Sequence, residues 1–484
     1  MSDLPPLEDL PPKGGSYKGG KELDTAVSVA RAVHEAGGRA LIVGGWVRDR
    51  LMGLPSKDID VEVFGIDGDR LKEILQKFGS VNTVGESFTV YKVADLDVSL
   101  PRRESKTGRG HRGFTVSGDP ALPLREAARR RDFTVNAIAW DPLTGEHEDP
   151  FDGRGDIERR LLRAVDPLTF GDDSLRVLRA IQFAARFEFE IDAGTKALCR
   201  TIPLDDLPAE RVWGEIEKLL LRARKPSLGF ALALELGVIA RVFPELEALV
   251  GCQQEPEWHP EGDVWVHTLL VIDEARTRID DLGYPQQVAV MLGAVCHDLG
   301  KPPTTAFIDG RIRSIDHEDQ GVPPARAFLD RLNVHSMLGY DVRHQVLGMV
   351  ANHLKPGMFA KAQPPVGDGA YRRLAKVVSD RPDEHRNLLR SWQAVDASSR
   401  LVDHLERMHP DIPFGVPLRF LRAADERVQF GEELLDHAEF ERETKANRRS
   451  WREEQFLELT PDALGRQIVE RDGPADCARL VVDG

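Results

Sequence analysis

Two aspartates, Asp58 and Asp60, stand at the start of a run of alternating residues that is typical of a β-strand. Because successive side chains of a strand point to opposite faces, this spacing places both carboxylates on one face. Paired carboxylates on a rigid face are the ligands that Mg²⁺ needs when it bridges the phosphates of a nucleotide. Asp97, in a later strand-like segment, is our candidate for a third carboxylate. Alone, such a pair is more often a solvated strand face, so neighbouring motifs must support the metal site.

Upstream of the two aspartates, a short apolar run enters the turn Gly44-Gly45, which Arg48 follows. This pattern predicts a tight turn that opens into the N-terminus of a helix. Backbone N–H groups at such a position favour phosphate groups. We therefore expect the turn to contact a nucleoside triphosphate that the aspartates hold through metal ions.

Four segments in a fixed order resemble the motifs of the class II CCA-adding enzymes, which build tRNA 3′ ends, and of their poly(A) polymerase relatives. They are GGWVRDRLMGLPSKDID (44–60), RRDFTVNAIA (130–139), DPFDGRGDIERRLLRAV (149–165) and DDSLRVLRAIQFAARF (172–187). The segment ERVWGEIEKLL (210–220) resembles the helix that follows. The resemblance covers about residues 40–245 and implies a template-independent nucleotidyltransferase whose partners are tRNA, ATP and CTP.

The resemblance also implies residue roles. Asp58 and Asp60 would hold the Mg²⁺ ions that activate the primer 3′-hydroxyl group and neutralise the leaving pyrophosphate. The residues that would contact the incoming nucleotide are Gly44, Gly45, Arg48, Arg130, Arg131, Asp132, Asn136 and Arg179. A solvated helix start would also account for the run of arginines, but it leaves Asn136 unexplained.

Base selection is predicted to depend on the start of the fourth segment. Asp172, Asp173 and Arg176 are spaced so that they share one face of a predicted helix. A carboxylate accepts a hydrogen bond from an exocyclic amino group, and an arginine donates to a ring nitrogen or carbonyl, which selects cytosine and adenine over guanine and uracil. The resembled family has Glu at the position of Asp172, so the role of this first acid stays open. An ordinary intrahelical salt bridge is the alternative.

Nine basic residues between positions 102 and 131 exceed the three acids among them by six. The glycine-containing part of this region, residues 103–113, has the composition of a mobile loop. Such a loop would contact RNA phosphates without reading sequence. A merely solvated loop is the alternative.

Histidines and aspartates recur on predicted helices through the middle of the chain. The run CHDLGKP and the segment HPEGDVWVHTLL (259–270) resemble the HD phosphohydrolase domain that some bacterial CCA-adding enzymes carry. The metal ligands that this resemblance implies are His267, His297, Asp298 and Asp396, and the residues for a second ion or the phosphate are His317 and His353. Imidazole and carboxylate ligands suit Ni²⁺, Mn²⁺, Co²⁺ or Mg²⁺ better than a structural zinc. A helical body that kept the pattern without activity is the alternative.

Composition limits the remaining possibilities. The 484 residues carry 65 Lys and Arg against 80 Asp and Glu, and this net charge of −15 argues against bulk attraction to nucleic acid. No apolar stretch is long enough to span a membrane, and no signal peptide is expected. The four scattered cysteines predict a reducing, cytoplasmic location. The sequence makes no prediction of the oligomeric state.

The periodicity of apolar residues divides the chain into regions. The predicted fold class is α+β: a palm-type nucleotidyltransferase head with a small mixed sheet, then an all-α neck, an HD domain and a helical tail. The predicted boundaries are 1–22 for a flexible tail, 23–165 for the head, 166–248 for the neck, 249–402 for the HD domain and 403–484 for the helical C-terminal region.

The leading hypothesis is a Mg²⁺-dependent enzyme that adds C and A nucleotides to tRNA, with phosphatase or 2′,3′-cyclic phosphodiesterase activity in its HD domain. One alternative is a poly(A) polymerase acting on RNA 3′ ends, which the acidic composition and the HD domain disfavour. A second alternative is an HD phosphohydrolase whose head only binds RNA, which the intact pair Asp58 and Asp60 disfavours.

Overall fold

A computed structural model of the protein describes residues 19–374, except residues 57, 85–89, 107–113, 356, 357, 360, 361, 368 and 372. Asp396 and the predicted C-terminal region lie outside the described residues, as does most of the predicted N-terminal tail. Within the described part of the chain, none of the helices combines the length and the apolar character that crossing a bilayer requires.

The N-terminal unit is built on a mixed β-sheet flanked by helices. Its elements are α1 (Gly19–Glu35), β1 (Arg39–Val43), α2 (Gly45–Leu51), β2 (Ile59–Phe64), α3 (Gly68–Leu75), β3 (Asn82–Val84), β4 (Val90–Val93), β5 (Leu96–Ser99), β6 (Arg102–Lys106), β7 (Phe114–Gly118), α4 (Leu124–Arg129), β8 (Ala139–Trp140) and β9 (His147–Glu148). Seven strands pair in the order β3-β4-β5-β2-β1-β8-β9. Of these pairs β2–β5 is parallel and the others are antiparallel. This confirms the predicted α+β head.

The central strand β1 is apolar on both faces because helices and side chains cover the sheet on both sides. Ala40 and Ile42 belong to the larger core of this unit, whereas Leu41 and Val43 belong to a small cluster on the opposite face. Helix α1 contributes buried residues at three- and four-residue spacing to the larger core. The predicted start of α1 at Leu23 is four residues late, and its predicted end before the Gly37-Gly38 pair is confirmed.

The loop predicted from the glycine-containing basic region is partly wrong. Strands β6 and β7 pair as an antiparallel hairpin, with Arg102 opposite Gly118 and Lys106 opposite Phe114. Four residues of the predicted loop, 103–106, are therefore strand, because cross-strand pairing supplies hydrogen bonds that the local composition does not reveal.

A helical neck follows the sheet. Helix α5 (Gly153–Glu158) and strand β10 (Leu161–Leu162) come at the end of the head, and the neck consists of α6 (Leu175–Phe187), β11 (Glu190–Ile191), α7 (Ala193–Thr201), α8 (Ala209–Arg222), α9 (Pro226–Glu235), α10 (Val238–Val242) and α11 (Pro244–Glu247). Helix α6 packs against both α8 and α9, and its apolar residues enter a core that continues into the next unit. The sheet head and the helical neck together position the first candidate site.

The third unit is mainly helical and contains two small hairpins. Its elements are α12 (Val264–Arg276), α13 (Tyr284–Cys296), α14 (Lys301–Thr304), β12 (Thr305–Ile308), β13 (Arg311–Ser314), α15 (His317–Arg331), β14 (Ser336–Met337), β15 (Tyr340–Asp341) and α16 (Val342–Val350). Helix α13 lies between α12 and α16, and Pro285 and all nine residues from Val288 to Cys296 are buried. The predicted near-absence of strands is corrected by the hairpins β12–β13 and β14–β15.

Candidate functional site

Three predicted carboxylates meet where the neighbouring interior strands β2 and β5 begin. Asp60 in β2 lies directly opposite Asp97 in the parallel neighbour β5, so both side chains lie on the same face. Asp58, Asp60 and Asp97 line one cavity of about 590 Å³. Lys92 in β4 donates to both carboxylate oxygens of Asp97, at 2.8 and 3.1 Å. The structure therefore places Asp97 beside Asp58 and Asp60, whereas sequence spacing alone could only suggest it as the third carboxylate.

The electrostatics of this carboxylate cluster suit a cation. Burial raises the pKa of Asp60, Arg131 lowers it, and the charges of Asp97 and Asp58 raise it again, so that the net shift is upward. Neighbouring carboxylates disfavour their own ionised forms unless a positive charge lies between them. A divalent ion would remove that repulsion, so the oxygen-rich donor set fits Mg²⁺.

An arginine lies beside the carboxylates because position 44 is a glycine. Gly44 has φ of +78°, and a Cβ atom built there would lie 2.9 Å from Nη1 of Arg131 and 3.6 Å from Oδ2 of Asp60. Arg130 donates to Oε1 of Glu62 at 2.8 Å, and Glu62 is almost fully buried. Sequence reasoning missed Glu62, although it is the third acid at two-residue spacing after Asp58 and Asp60. Glu62 thus holds Arg130 by a hydrogen bond and lies 4.0 Å from Nη2 of Arg131.

The remaining predicted nucleotide-binding residues form a buried network. Arg48 donates to Oδ1 of Asn136 at 2.6 Å, and Asn136 donates to Oδ1 of Asp132 at 2.9 Å. Arg179 from the neck donates to Oδ2 of Asp132 at 2.7 Å. Burial alone would raise the pKa of Asp132, but Arg179 and the hydrogen bond from Asn136 outweigh burial and lower it. The network fastens α2, the second motif and α6 together.

The third motif supports the second by close packing. Thr134 donates to Oδ2 of the fully buried Asp156 at 2.6 Å, and Arg163 donates to the same oxygen at 2.9 Å. A side chain at Gly153 would overlap the carbonyl oxygen of Thr134. Residues of this motif therefore position the segment that carries Asn136.

The predicted helical pairing of Asp173 with Arg176 is wrong. Helix α6 begins at Leu175, and Asp173 precedes it with an extended backbone, φ −119° and ψ 105°. Asp173 instead accepts two hydrogen bonds from Arg211 on α8, at 3.0 and 2.9 Å. Arg176 donates to the carbonyl oxygens of Thr169 and Arg130, at 3.0 and 2.6 Å.

Asp172 also precedes the helix, in a short 3-10 turn, so the predicted common face does not exist. Asp173 and Arg176 still lie close enough for Arg176 to contribute to the lowered pKa of Asp173, after burial and Arg211. Sequence reasoning missed Arg211. The signal that could have identified it is its position at the start of the segment ERVWGEIEKLL, which follows the fourth motif.

A second candidate site lies in the third unit, where four imidazoles surround one carboxylate. Nε2 of His267 and of His297 lie 3.7 and 3.2 Å from Oδ2 of Asp298. Nε2 of His317 and of His353 lie 3.5 and 3.7 Å from Oδ1 of Asp298. These residues come from α12, the end of α13, the start of α15 and the turn after α16, and they line a cavity of about 220 Å³.

The orientation of these imidazoles fits metal ligation. Nδ1 of each ring lies 2.7–2.9 Å from a fixed acceptor, namely Glu261 for His267 and the carbonyl oxygens of Ala294, Ser314 and Val350 for His297, His317 and His353. With Nδ1 as donor, Nε2 presents its lone pair to the cavity, which is the arrangement that ligating histidines adopt. Burial lowers the pKa of His267 to about 4 and that of His353 to about 3, so both rings are neutral near pH 7.

The carboxylate at the centre is ionised. Burial alone would raise the pKa of Asp298, but His297 and Lys301 outweigh burial and hold it well below its ordinary value. Lys301 Nζ lies 2.8 Å from Oδ2 of Asp298 and donates to Gln254 at 2.6 Å. Sequence reasoning missed Lys301 and Glu261, although both stand inside the two segments that it singled out. Imidazole nitrogens around an ionised carboxylate fit a divalent metal ion.

Family models match both the head and the helical neck, the two units that position the first site. A family model described as "Poly A polymerase head domain" matches residues 40–163. A second model, "Probable RNA and SrmB- binding site of polymerase A", matches residues 188–249 in the helical neck.

Comparison with individual proteins extends the similarity through most of the chain. The Multifunctional CCA protein of Laribacter hongkongensis is 40% identical over 373 residues, which are 76% of this chain and 83% of the relative. That of Burkholderia pseudomallei is 39% identical over 391 residues, 74% of this chain and 91% of the relative. The solved Thermotoga maritima CCA-adding enzyme complexed with tRNA shares the fold, with a TM-score of 0.52 at 17% identity over 88% of this chain and 96% of that chain.

Proposed function

Because the chain belongs to the multifunctional CCA protein family, we propose that it adds C and A nucleotides to the 3′ end of tRNA without a template, from CTP and ATP. The observation that carries this proposal is the meeting of Asp58, Asp60 and Asp97 in one cavity at the start of β2 and β5, with Arg131 beside Asp60. In the reaction the primer 3′-oxygen forms a bond to the α-phosphorus, the bond from this phosphorus to the β-phosphate oxygen breaks, and the hydroxyl proton is lost to water.

The aspartates would hold Mg²⁺, which supplies Lewis acidity to the primer hydroxyl group and to the leaving pyrophosphate. Arg131 places a fixed positive charge next to Asp60 and therefore next to the phosphates of a bound nucleotide. Lys92 neutralises Asp97 when no ion is bound, since both oxygens of Asp97 accept its hydrogen bonds. An incoming ion would replace Lys92 at this carboxylate.

Base choice would depend on Asp173 and Arg176, with Arg211 holding Asp173 in place. A carboxylate has about four acceptor positions, so Asp173 can accept from an exocyclic amino group while it remains bound to Arg211. Arg176 is fixed by two backbone carbonyls and has further N–H groups to offer. An amino group beside an acceptor, as in cytosine and adenine, complements this pair.

The test is an extension assay with tRNAs that lack one, two or three terminal nucleotides and with each nucleoside triphosphate in turn. Asp60→Asn should abolish addition because the metal carboxylate is lost, whereas Asp69→Asn, at an exposed position in the first turn of α3 that does not line the cavity, should leave addition unchanged. In the same assay Arg176→Ala should lower the preference for CTP and ATP by about tenfold or more. Addition by Asp60→Asn at the wild-type rate would refute the site, and long tracts of A alone would indicate a poly(A) polymerase.

We further propose that the histidine–aspartate cavity hydrolyses phosphate esters. In this reaction water adds oxygen to phosphorus, a phosphorus–oxygen bond to ribose breaks, and the departing oxygen takes a proton. A bound Ni²⁺, Mn²⁺, Co²⁺ or Mg²⁺ ion would lower the pKa of water. In the described part of the chain, His267, His297 and Asp298 would hold the ion, and Asp396 is a further proposed ligand. His317 and His353 would hold a second ion or the phosphate.

The hydrolytic proposal is tested with bis-p-nitrophenyl phosphate and 2′,3′-cyclic AMP in the presence of each of the four metals. The double variant His297→Ala with Asp298→Ala should lose hydrolysis, because it removes two ligands. Its addition of nucleotides to tRNA should persist. If the wild-type protein hydrolyses neither substrate with any metal, the cavity is not a phosphohydrolase site.

We also propose that the domains have the boundaries predicted above and that the protein acts in the cytoplasm. The family models support a boundary near residue 165 between head and neck, since their matches end at 163 and resume at 188. The three cysteines in the described part of the chain are free thiols, which agrees with a reducing compartment.

A further inference from the structure

The mouth of the histidine–aspartate cavity carries an aromatic side chain for which the proposed chemistry has no use. Trp258 lines the cavity and has 49% of its surface exposed. Its backbone is held in a turn, because the N–H groups of Trp258 and His259 both donate to the carbonyl oxygen of Glu255, at 3.1 and 2.9 Å. The next residue, His259, packs edge-on against the proposed ligand His267 with ring centroids 4.9 Å apart. The indole is therefore presented next to the metal ligands.

A second exposed aromatic side chain lies on the hairpin that borders the cavity. The hairpin β12–β13 contributes Ile312 and Ser314 to the cavity. Phe307 is the cross-strand partner of Ile312, so the two side chains lie on the same face of the hairpin, and Phe307 is 76% exposed. The Glu255 carboxylate accepts a hydrogen bond from the N–H of Ile312 at 2.9 Å, which fastens the Trp258 turn to the hairpin.

This concentration of exposed aromatic groups is unusual within the described residues. Of the three aromatic side chains that are among the exposed large apolar residues there, Trp258 lines the cavity, Phe307 lies on the bordering hairpin β12–β13, and Tyr284 is at the start of α13. Exposed aromatic rings beside a phosphate-binding cavity have the geometry for stacking on nucleobases, because every base has a flat π-face whatever its sequence. Neither ring is used for packing in the core.

We propose that Trp258 stacks on the base of the nucleotide whose phosphate enters the cavity, and that Phe307 stacks on the preceding base. The site then takes the phosphorylated 3′ end of single-stranded RNA in preference to small phosphate esters that lack a base. This inference rests on the proposed hydrolytic function of the cavity. Removing one stacking platform of this kind weakens nucleic-acid binding by about tenfold or more.

The first experiment compares two substrates in Mn²⁺: 2′,3′-cyclic AMP and the 2′,3′-cyclic phosphate of methyl riboside, which has no base. Trp258→Ala should raise KM for cyclic AMP about tenfold and leave KM for the riboside unchanged, and Trp258→Phe should retain most of the affinity. Phe307→Ala should impair only a dinucleotide that ends in a cyclic phosphate. Leu168→Ala, which removes an apolar side chain 85% exposed in the neck, is the matched control and should change neither substrate.

The second experiment measures binding without turnover. Equilibrium dialysis of adenosine 3′-phosphate against wild type and Trp258→Ala, without added metal, reports stacking directly as the difference between the two proteins. If hydrolysis is absent in wild type but this difference is present, the hydrolytic proposal fails and the stacking platform stands. If hydrolysis is present and both substrates respond equally to Trp258→Ala, the stacking platform is refuted.

A second copy of this chain is the other possible occupant of the two exposed rings. Sedimentation velocity of wild type, Trp258→Ala and Phe307→Ala separates the two cases. An unchanged oligomeric state in all three proteins supports the nucleotide platform. Conversion of a wild-type dimer to monomers by either substitution, without a change in KM, would overturn it.

Discussion

At the scale of single residues, position 44 decides whether an arginine can lie beside the metal carboxylates. The backbone of Gly44 has φ of +78° and ψ of −136°, a region that residues with a Cβ atom avoid. The space that a Cβ atom would occupy is filled by Arg131, whose Nη1 lies 2.9 Å from the ideal position. Conformation and space thus both require a glycine here.

Gly44→Ala should therefore lower the rate of nucleotide addition at least a hundredfold, because Arg131 must move away from Asp60. The backbone strain should also lower the free energy of unfolding by about 1–3 kcal/mol. Gly53→Ala is the control, since Gly53 also has positive φ, +67°, but faces open space. Extension assays and thermal melts of both variants check this. Equal loss of addition in both would show that strain alone, and not Arg131, is responsible.

At the scale of elements, the second cavity depends on how closely α15 approaches the turn between α13 and α14. A methyl group on Gly300 would overlap the carbonyl oxygen of His317 and press against the backbone of Gly321. His317 is the first residue of α15, so this backbone contact sets the position of one imidazole relative to Asp298. Gly300, in the run CHDLGKP, thus allows the start of α15 with His317 to lie close to the turn that carries Asp298.

Gly300→Ala should push the start of α15 outward and weaken Mn²⁺ binding, measured by titration calorimetry, at least tenfold. It should also destabilise the fold by about 1–3 kcal/mol, because overpacking forces the backbone to shift. Gly214→Ala is the matched control: its site in α8 is open, and alanine should stabilise a helix interior by about 0.5–1 kcal/mol. Unchanged Mn²⁺ affinity in Gly300→Ala would contradict the role of this contact.

At the scale of the whole molecule, the two candidate metal sites lie in different units. Asp60 is part of the sheet in the head, whereas Asp298 follows α13 in the third unit. A ligand that binds only the native state stabilises it by mass action, so each ion should contribute its own increment of stability. The two increments should be separable by substitution.

Mn²⁺ at a hundredfold excess over its dissociation constant should stabilise the wild-type protein by about 2.7 kcal/mol at each occupied site. Asp298→Asn should remove the increment of the histidine–aspartate cavity and leave nucleotide addition intact, whereas Asp60→Asn should retain that increment. Calorimetric melts with and without Mn²⁺ check both statements. Full stabilisation of Asp298→Asn by Mn²⁺ would show that this carboxylate holds no ion.

Much of the architecture was predictable from local pattern. The apolar run before Gly44 became the central strand β1, and the alternating run after Asp58 became β2. Strand alternation and helical spacing are properties of neighbours in sequence, and burial of the apolar face enforces them in any compact fold. Residue type and local spacing also identified the pair Asp58 and Asp60, the Gly44 turn and the family motifs.

The partners of these residues were decided by tertiary structure. Parallel pairing of β2 with β5 places Asp97 opposite Asp60. Because α8 packs against α6, Asp173 accepts hydrogen bonds from Arg211 and not from Arg176. Sequence alone indicated which residues have the chemistry, because residue type and local spacing are written in the chain. It could not indicate their contacts, because strand register and helix packing depend on the burial of distant apolar surfaces, which only the folded chain brings together.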